Sequence, residues 1–217
     1  MLKIYLIRHA ESEGNVNHHL IGGQSNHYPL TARGESQARR LGARFLQEQL
    51  SFEQIYSSTA VRTQQTCSIT CAHLLNSPPP SLDERLLELS QGEWEGKVRT
   101  DMYTAERLAV VRSDPFEFKP PGGESQREVE TRMYDWLSQV SDMYDDTSIS
   151  VNIAAFSHGF AIKTLIRSLL EASPMMPYQT NIHNTSLTVL YRDSGTWFIE
   201  RVNDFQHIIG TDFIGHY

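Results

Sequence analysis

Residues 149–156 form a strongly apolar run that passes through Ser157-His158-Gly159 straight into a helix-forming stretch at 160–170. An apolar strand that feeds a helix packs back onto its sheet through a right-handed crossover to a parallel neighbour, so this junction constrains the fold more than any other feature. The same grammar recurs along the chain. Residues 2–7 read as a buried strand, apolar apart from Lys3, and 52–57 as a second strand followed by a helix at 60–75. A polar loop is expected at 11–28, with Gly22-Gly23 in it. Pro29-Leu30-Thr31 then opens a long helix with Thr31 as N-cap and Ala38, Leu41, Phe45, Leu46 and Leu50 as its apolar stripe.

After the break at Pro78-Pro79-Pro80, residues 82–89 read as a third strand or extended segment. A helix is expected at 129–144, ended by Asp145-Asp146. The last part reads as a hairpin, 186–191 and 197–202, turned at Asp193-Ser194-Gly195. Strands alternating with helices predict an α/β class with a mostly parallel central sheet, to which the hairpin adds antiparallel strands. Between them, 97–123 patterns weakly, looks helical near 102–111 and closes on Lys119-Pro120-Pro121-Gly122-Gly123. At ~150 residues per domain, the 217 residues fit one domain, 1–217, with 97–123 as a small helical insert or lid.

Composition narrows the partners. The net charge of −7 argues against a nucleic-acid binder held by phosphate contacts. Among the 19 cationic residues 15 are Arg, the better residue for two-point grip on an anion. Cys67 and Cys71 are the only cysteines, four apart in a helix-like segment, and read as small core side chains rather than a disulfide scaffold. Residues 1–7 are too short for a signal peptide before Arg8-His9, and no apolar run approaches ~20 residues, so a cytoplasmic location away from membranes is expected.

Active sites of open α/β sheets lie outside the carboxyl ends of the strands. Arg8 and His9 end the first strand, 57–62 leaves the second and carries Arg62, and Ser157-His158-Gly159 ends the apolar run. A lone strand-end histidine is more often a structural hydrogen bonder, and a lone arginine at a helix start a surface charge. Two of each on one edge outweigh that reading. With the free N–H groups of the helix after His158, they suit a dianionic phosphoryl group. A neutral imidazole is then a suitable nucleophile.

These residues stand in a longer ordered set. Arg8-His9-Ala10-Glu11-Ser12-Glu13-Gly14-Asn15 resembles the signature of the histidine phosphatase superfamily, phosphoglycerate-mutase-like branch, with Ala10 where Gly is usual. The resemblance continues through Pro29-Leu30-Thr31-Ala32-Arg33-Gly34, Tyr56-Ser57-Ser58 with Arg62, Leu87-Glu88 before Gly92-Glu93-Trp94-Glu95-Gly96, Gly122-Gly123-Glu124-Ser125, Ser157-His158-Gly159, and Asn184-Thr185-Ser186 with Asn203-Asp204 and His207. It covers essentially the whole chain and implies a three-layer α/β/α sandwich.

The resemblance also implies roles. His9 becomes phosphohistidine, and Arg8, Arg62 and His158 bind the phosphoryl oxygens with help from the Gly159 N–H. Asn15 and Gln24 line the pocket. Spacing alone leaves Glu88, Glu93 and Glu95 open as the general acid. The match of Leu87-Glu88 selects Glu88, first as acid for the departing oxygen and then as base for water, and Glu93 and Glu95 are expected to matter little. No step requires a metal or cofactor. His18, His19 and His27 lie in a polar loop without a carboxylate at ligand spacing.

Ala155-Phe156-Ser157-His158-Gly159 also resembles the nucleophile elbow of α/β-hydrolases, with Ser157 as an ester-cleaving nucleophile and Asp193 and His207 as partners. That reading leaves Arg8, His9 and Arg62 unexplained. A non-catalytic phosphate sensor is disfavoured because His9, Arg8, Arg62, Glu88 and His158 are all present. Within the superfamily, mutases carry a longer insert with a carboxylate-gripping Arg pair. Here the insert holds Arg99, Arg107 and Arg112, none adjacent, which favours a phosphatase over a phosphoglycerate mutase-type phosphotransferase. The expected partner is a small phosphorylated metabolite, a phosphate monoester whose remainder meets Tyr103, Arg112, Phe116 and Phe118.

Overall fold

The computed structural model describes residues 1–144 and 150–210. In chain order the described residues form β1 (Leu2–Arg8), α1 (Glu13–Val16), α2 (Ala32–Gln47), β2 (Gln54–Ser57), α3 (Val61–Cys71), β3 (Ser81–Leu82), α4 (Arg99–Met102), α5 (Ala105–Ser113), α6 (Gln126–Met143), β4 (Val151–Ser157), α7 (Gly159–Leu169), α8 (Met176–Gln179), β5 (Leu187–Asp193) and β6 (Thr196–Asp204). The strands make one sheet in the order β3-β2-β4-β1-β5-β6. The first four run parallel, and β5 and β6 are antiparallel additions. The mostly parallel α/β sheet is as expected.

Side chains two apart on β1 sort the layers. Leu2, Ile4 and Leu6 pack with Met133, Trp136 and Leu137 of α6 and Ile162 and Leu165 of α7. Tyr5 and Ile7 face the other way, onto Leu41 and Phe45 of α2 and Cys67 of α3. Helices therefore cover both faces, and the fold is an α/β/α sandwich. Among the described residues no helix is long and apolar enough to cross a membrane.

Several boundaries move for local reasons. Thr31 caps α2 by accepting from the Gly34 N–H, as expected, but Leu46 lies outside the stripe and is exposed. α3 ends at Cys71, where i→i−3 bonds from His73 and Leu74 tighten the chain into turns. The expected strand at 82–89 is a correction. β3 stops at Leu82 because the Asp83 carboxylate accepts from the Arg85 N–H and caps a 3₁₀ turn, Glu84–Leu86. α6 begins earlier than expected, at a capping box in which Ser125 and Glu128 satisfy each other's backbone N–H groups.

The expected stop at Asp145-Asp146 and strand start at Ile149 lie outside the described residues. The loop 11–28 contains the short α1, and the helical signal of 102–111 resolves into α4 and α5, with Thr104 capping α5. The hairpin turns at Ser194 and Gly195, both at positive φ, the two-residue turn whose twist matches its strands.

Candidate active site

Parallel pairing aligns the carboxyl ends of β1, β4 and β2. Arg8 pairs with Ser157, Ser57 pairs with Phe156, and the chain past each strand continues the register. The His9 N–H donates to the Ser157 carbonyl (3.0 Å) and the Ser58 N–H to the Phe156 carbonyl (3.0 Å). Sequence-distant His9, Ser58 and His158 thus share one edge, and the His9 and His158 rings lie 5.1 Å apart.

His9 is buried, and its Nδ1 lies 2.7 Å from the Ala10 carbonyl oxygen. A carbonyl only accepts, so Nδ1 carries the proton and Nε2 holds the lone pair. Burial, with Arg62 and Arg8 adding repulsion, holds the His9 pKa well below its ordinary 6.5. The Asn184 side-chain amide donates to the His9 carbonyl (2.8 Å) and anchors the backbone behind the ring.

His158 is fully buried. Arg62 can only donate, so at 3.1 Å it makes His158 Nδ1 an acceptor, and Nε2–H then donates to Ser58 Oγ (2.8 Å). Ser58 in turn meets Thr63 Oγ1 (2.8 Å), whose hydroxyl donates to the Ala60 carbonyl (2.7 Å). Burial and the Arg62 charge keep the His158 pKa well below 6.5. Arg62 is also buried, with its own pKa brought down to about 10 by burial against the opposing pull of Glu88. Its guanidinium donates to the carbonyls of Gln24 (3.0 Å), Ser25 (3.2 Å) and Gly23 (3.4 Å).

That loop is held from its other side. Glu95 accepts from the N–H groups of Gln24 (2.9 Å), Ser25 (2.9 Å) and Gln91 (3.0 Å). Gly23 sits at φ +55°, and a Cβ there would come within 2.4 Å of the Glu95 carboxylate, so only glycine lets the carboxylate approach. Glu95 thus anchors the loop that Arg62 grips, a position the sequence reading did not give it. Its donors come from Gln24, Ser25 and Gln91, and no spacing in the chain signals that convergence.

Glu88 meets the amino end of α7. Its carboxylate accepts from the N–H groups of Phe160 (3.0 Å) and Ala161 (3.1 Å), and from Leu89 (2.9 Å). Arg132, paired with Glu124, donates to the carbonyls of Arg85 (2.7 Å), Leu87 (2.7 Å) and Glu88 (2.9 Å), which fixes the segment carrying the carboxylate.

A cavity of about 270 Å³ is lined by Arg8, His9, Asn15, Arg62 and Glu88, which brings together five of the residues singled out in the sequence. Others stand apart from it. His158 lies behind Arg62 and His9 rather than on the wall. Gln24 reaches the site by its backbone, while its side chain donates to the Glu88 carbonyl (3.3 Å). Gly159 lines a neighbouring cavity with Arg8 and Lys163. Lys163 is a cation that sequence reasoning missed. It sits one helical turn beyond Gly159, where burial pulls its pKa down against the charge of Glu88. The i+4 spacing from Gly159 was the available signal.

Ser157 does not fit the esterase reading. It is fully buried, and its hydroxyl donates to the Leu86 carbonyl (2.7 Å). His207 meets Thr185 (2.9 Å) and Asp193 lies in the hairpin, so neither serves Ser157. His18 lines the phosphoryl cavity with its Nδ1 3.3 Å from the Val16 carbonyl oxygen, His27 packs at a tilt on Tyr28, and among the described residues no three His, Cys, Asp or Glu side chains gather into a metal site.

Comparison with known proteins agrees with this geometry. Residues 4–205 match the model of the histidine phosphatase superfamily (branch 1), and the chain belongs to that superfamily. It is 30% identical to the probable phosphoglycerate mutase GpmB of Salmonella choleraesuis, over 96% of this chain and 95% of that one. Its structure is similar to Bacillus stearothermophilus YhfR, with a TM-score of 0.82 and 27% identity over 96% of this chain and 100% of the other. It is also similar to a phosphoserine phosphatase from Entamoeba histolytica, determined with phosphoserine, with a TM-score of 0.81 and 25% identity over 96% and 100%.

Proposed function

We propose that the protein is a phosphatase that hydrolyses phosphate monoesters through a phosphohistidine at His9, without a metal. The observation that carries this is the pinned imidazole, with Nδ1 held by the Ala10 carbonyl and Nε2 bearing the lone pair in a cavity shared with Arg8, Arg62 and Glu88. Nε2 attacks phosphorus while the ester P–O bond breaks. The proton on Glu88 passes to the departing oxygen. Water then attacks the phosphohistidine, giving its proton to Glu88 as the P–N bond breaks and inorganic phosphate leaves. Arg8 and Arg62 balance the charge of the phosphoryl oxygens. To act as acid, Glu88 must release at least one N–H at the start of α7. Neutral His158 accepts from Arg62 and so holds that guanidinium in place at the phosphoryl cavity.

Phosphatase is preferred over mutase because the insert's arginines do not form a carboxylate clamp. Arg107 donates to the Met102 carbonyl (2.9 Å) and lies over the Trp94 ring, and Arg112 is exposed away from the cavities, leaving Arg99 alone on their walls. The test is a quenched reaction with labelled substrate and a chelator present. Acid-labile, base-stable label on His9, absent in His9→Ala, with phosphate released to water, is the expected result. Label on Ser157, dependence on an added metal, or delivery of the phosphoryl group to a second hydroxyl in place of water each overturns the corresponding part.

A further inference from the structure

Asn184 and Thr185 form the turn that leads into β5, and both are buried. They line none of the three cavities that Glu88 borders: the phosphoryl cavity, its neighbour at Gly159, and a larger one of about 650 Å³ walled by Tyr103 and Phe118. Whatever this turn contributes to catalysis therefore passes through the residues it holds. Two of these, His9 and Asn15, stand on the wall of the phosphoryl cavity.

The hydrogen bonds fix the direction of each amide. The Ser12 N–H can only donate, so the Asn15 atom 3.1 Å from it is the oxygen Oδ1. The His9 carbonyl can only accept, so the Asn184 atom 2.8 Å from it is Nδ2. The same Nδ2 lies 3.3 Å from Asn15 Oδ1, and its two hydrogens serve one acceptor each. With its oxygen turned onto Ser12 and Asn184, Asn15 keeps its Nδ2 end, with two N–H groups, for the cavity. One amide thus spans the main chain of the nucleophile and a donor aimed at the phosphoryl group.

The turn that carries Asn184 is held against its own preference. Thr185 stands at φ +58°, a left-handed conformation that β-branched residues rarely adopt. Its N–H donates to the carbonyls of Arg8 (3.0 Å) and His9 (3.4 Å), and its hydroxyl donates to the Asn184 carbonyl (2.7 Å). The hydroxyl then accepts from His207 Nε2 (2.9 Å), whose Nδ1 faces Arg44 at 3.5 Å. Strained backbone persists only where its surroundings over-determine it, and it clusters at functional sites. We infer that Asn184 is a positioning residue, whose side chain sets the His9 nucleophile and the phosphoryl-facing amide of Asn15 at a fixed separation while the strained turn at Thr185 holds it in place. This rests on the phosphohistidine reading above.

The test is a cycle of variants in which kcat and vanadate affinity are measured separately. Asn184→Leu keeps the size of the side chain and removes both donors. It should lower kcat for an alkyl phosphate by roughly 10²-fold, the scale for a nucleophile misplaced by about 1 Å. It should also weaken vanadate binding by about 10-fold, since a buried acceptor and the Asn15 amide lose their partner. Asn15→Leu should weaken vanadate binding by a similar factor, and the double variant should fall well short of the product of the two, because Asn184 acts on the anion through Asn15. A purely structural role would lower the thermal midpoint and leave kcat and vanadate affinity of the folded protein unchanged. That outcome, or fully additive losses in the cycle, overturns the inference and leaves the phosphohistidine reading standing. If Asn184→Leu does not fold, NMR of the unaltered protein decides. The Asn15 Nδ2 protons should shift when vanadate is added while those of Asn184 stay protected from exchange, and an Asn15 amide indifferent to vanadate overturns the inference. If the unaltered protein neither binds vanadate nor takes label on His9, the phosphohistidine reading falls and this inference falls with it.

Discussion

Glu95 and Arg62 grip opposite sides of one three-residue loop. The carboxylate takes the N–H groups of Gln24 and Ser25, and the guanidinium takes the carbonyls of Gly23, Gln24 and Ser25. Arg62 also reaches His158, so an acidic residue outside the phosphoryl cavity sets the position of a cation inside it.

Glu95→Gln replaces one accepting oxygen with a donor that faces backbone N–H groups, so the loop loses its anchor. The expected loss is ~10²-fold in kcat/KM, below the ~10³-fold expected of Arg62→Ala, with vanadate binding weakened in parallel. In the double variant the losses should fall well short of additive, because both act through one guanidinium. Fully additive losses, or unchanged vanadate affinity in Glu95→Gln, count against the relay.

Glu88→Gln should separate two jobs. As proton donor its loss should slow phosphorylation by an alkyl ester by about 10²–10⁴-fold, and by para-nitrophenyl phosphate much less, since nitrophenolate leaves unaided. As acceptor from the start of α7, its loss should also cost about 1 kcal/mol of stability in denaturant unfolding. Equal slowing of both esters would make Glu88 a positioning residue only.

The buried histidines set the acid response. His9 and His158 are held well below 6.5, chiefly by burial, so the nucleophile keeps its lone pair to more acid pH than a free imidazole does. Proton NMR titration of the phosphate-free protein should place both midpoints clearly under 6.5. A midpoint at or above 6.5 for His9 contradicts this. His207 is brought down to about 4, by burial first and by Arg44 second. Between about 4 and the unfolded value near 6.5 the unfolded chain binds the extra proton, so stability is present above 6.5 and lost as pH falls through that window. The loss amounts to about 3 kcal/mol for this group. His207→Asn should flatten the pH dependence of unfolding by up to one proton, and an unchanged slope would rule this out.

Gly34→Ala should destabilise the protein and disturb the segment after β1, which also lines the phosphoryl cavity. A Cβ there would lie 1.9 Å from the Glu11 backbone carbonyl oxygen, so α2 and the segment after β1 have to move apart. The expected cost is about 1–3 kcal/mol, and a thermal unfolding midpoint equal to the parent would refute the close approach.

The strand and helix pattern, and the cavity residues Arg8 and His9 at a strand end, were legible in the chain because their signals are local. Apolar runs end at Arg8-His9 and at Ser157-His158, and parallel pairing then puts both ends on one edge. Thr31 announces α2, whereas the box of Ser125 and Glu128, though equally local, starts α6 ahead of the expected 129. What the tertiary structure alone decided is whatever depends on groups far apart meeting at a distance of one hydrogen bond. His158 and Arg62 look alike in the sequence as strand-end cations, yet packing places Arg62 on the cavity wall and His158 behind it. Glu93 and Glu95 are two residues apart, and only the fold brings the N–H groups of Gln24, Ser25 and Gln91 onto Glu95. Phe116 and Phe118 are likewise indistinguishable by composition. The return of the chain to α6 and α7 sandwiches one between arginines and turns the other toward the larger cavity. A local signal such as a cap or an alternation is written in neighbours along the chain, whereas the partner of a buried carboxylate or ring is chosen by which surfaces close over it.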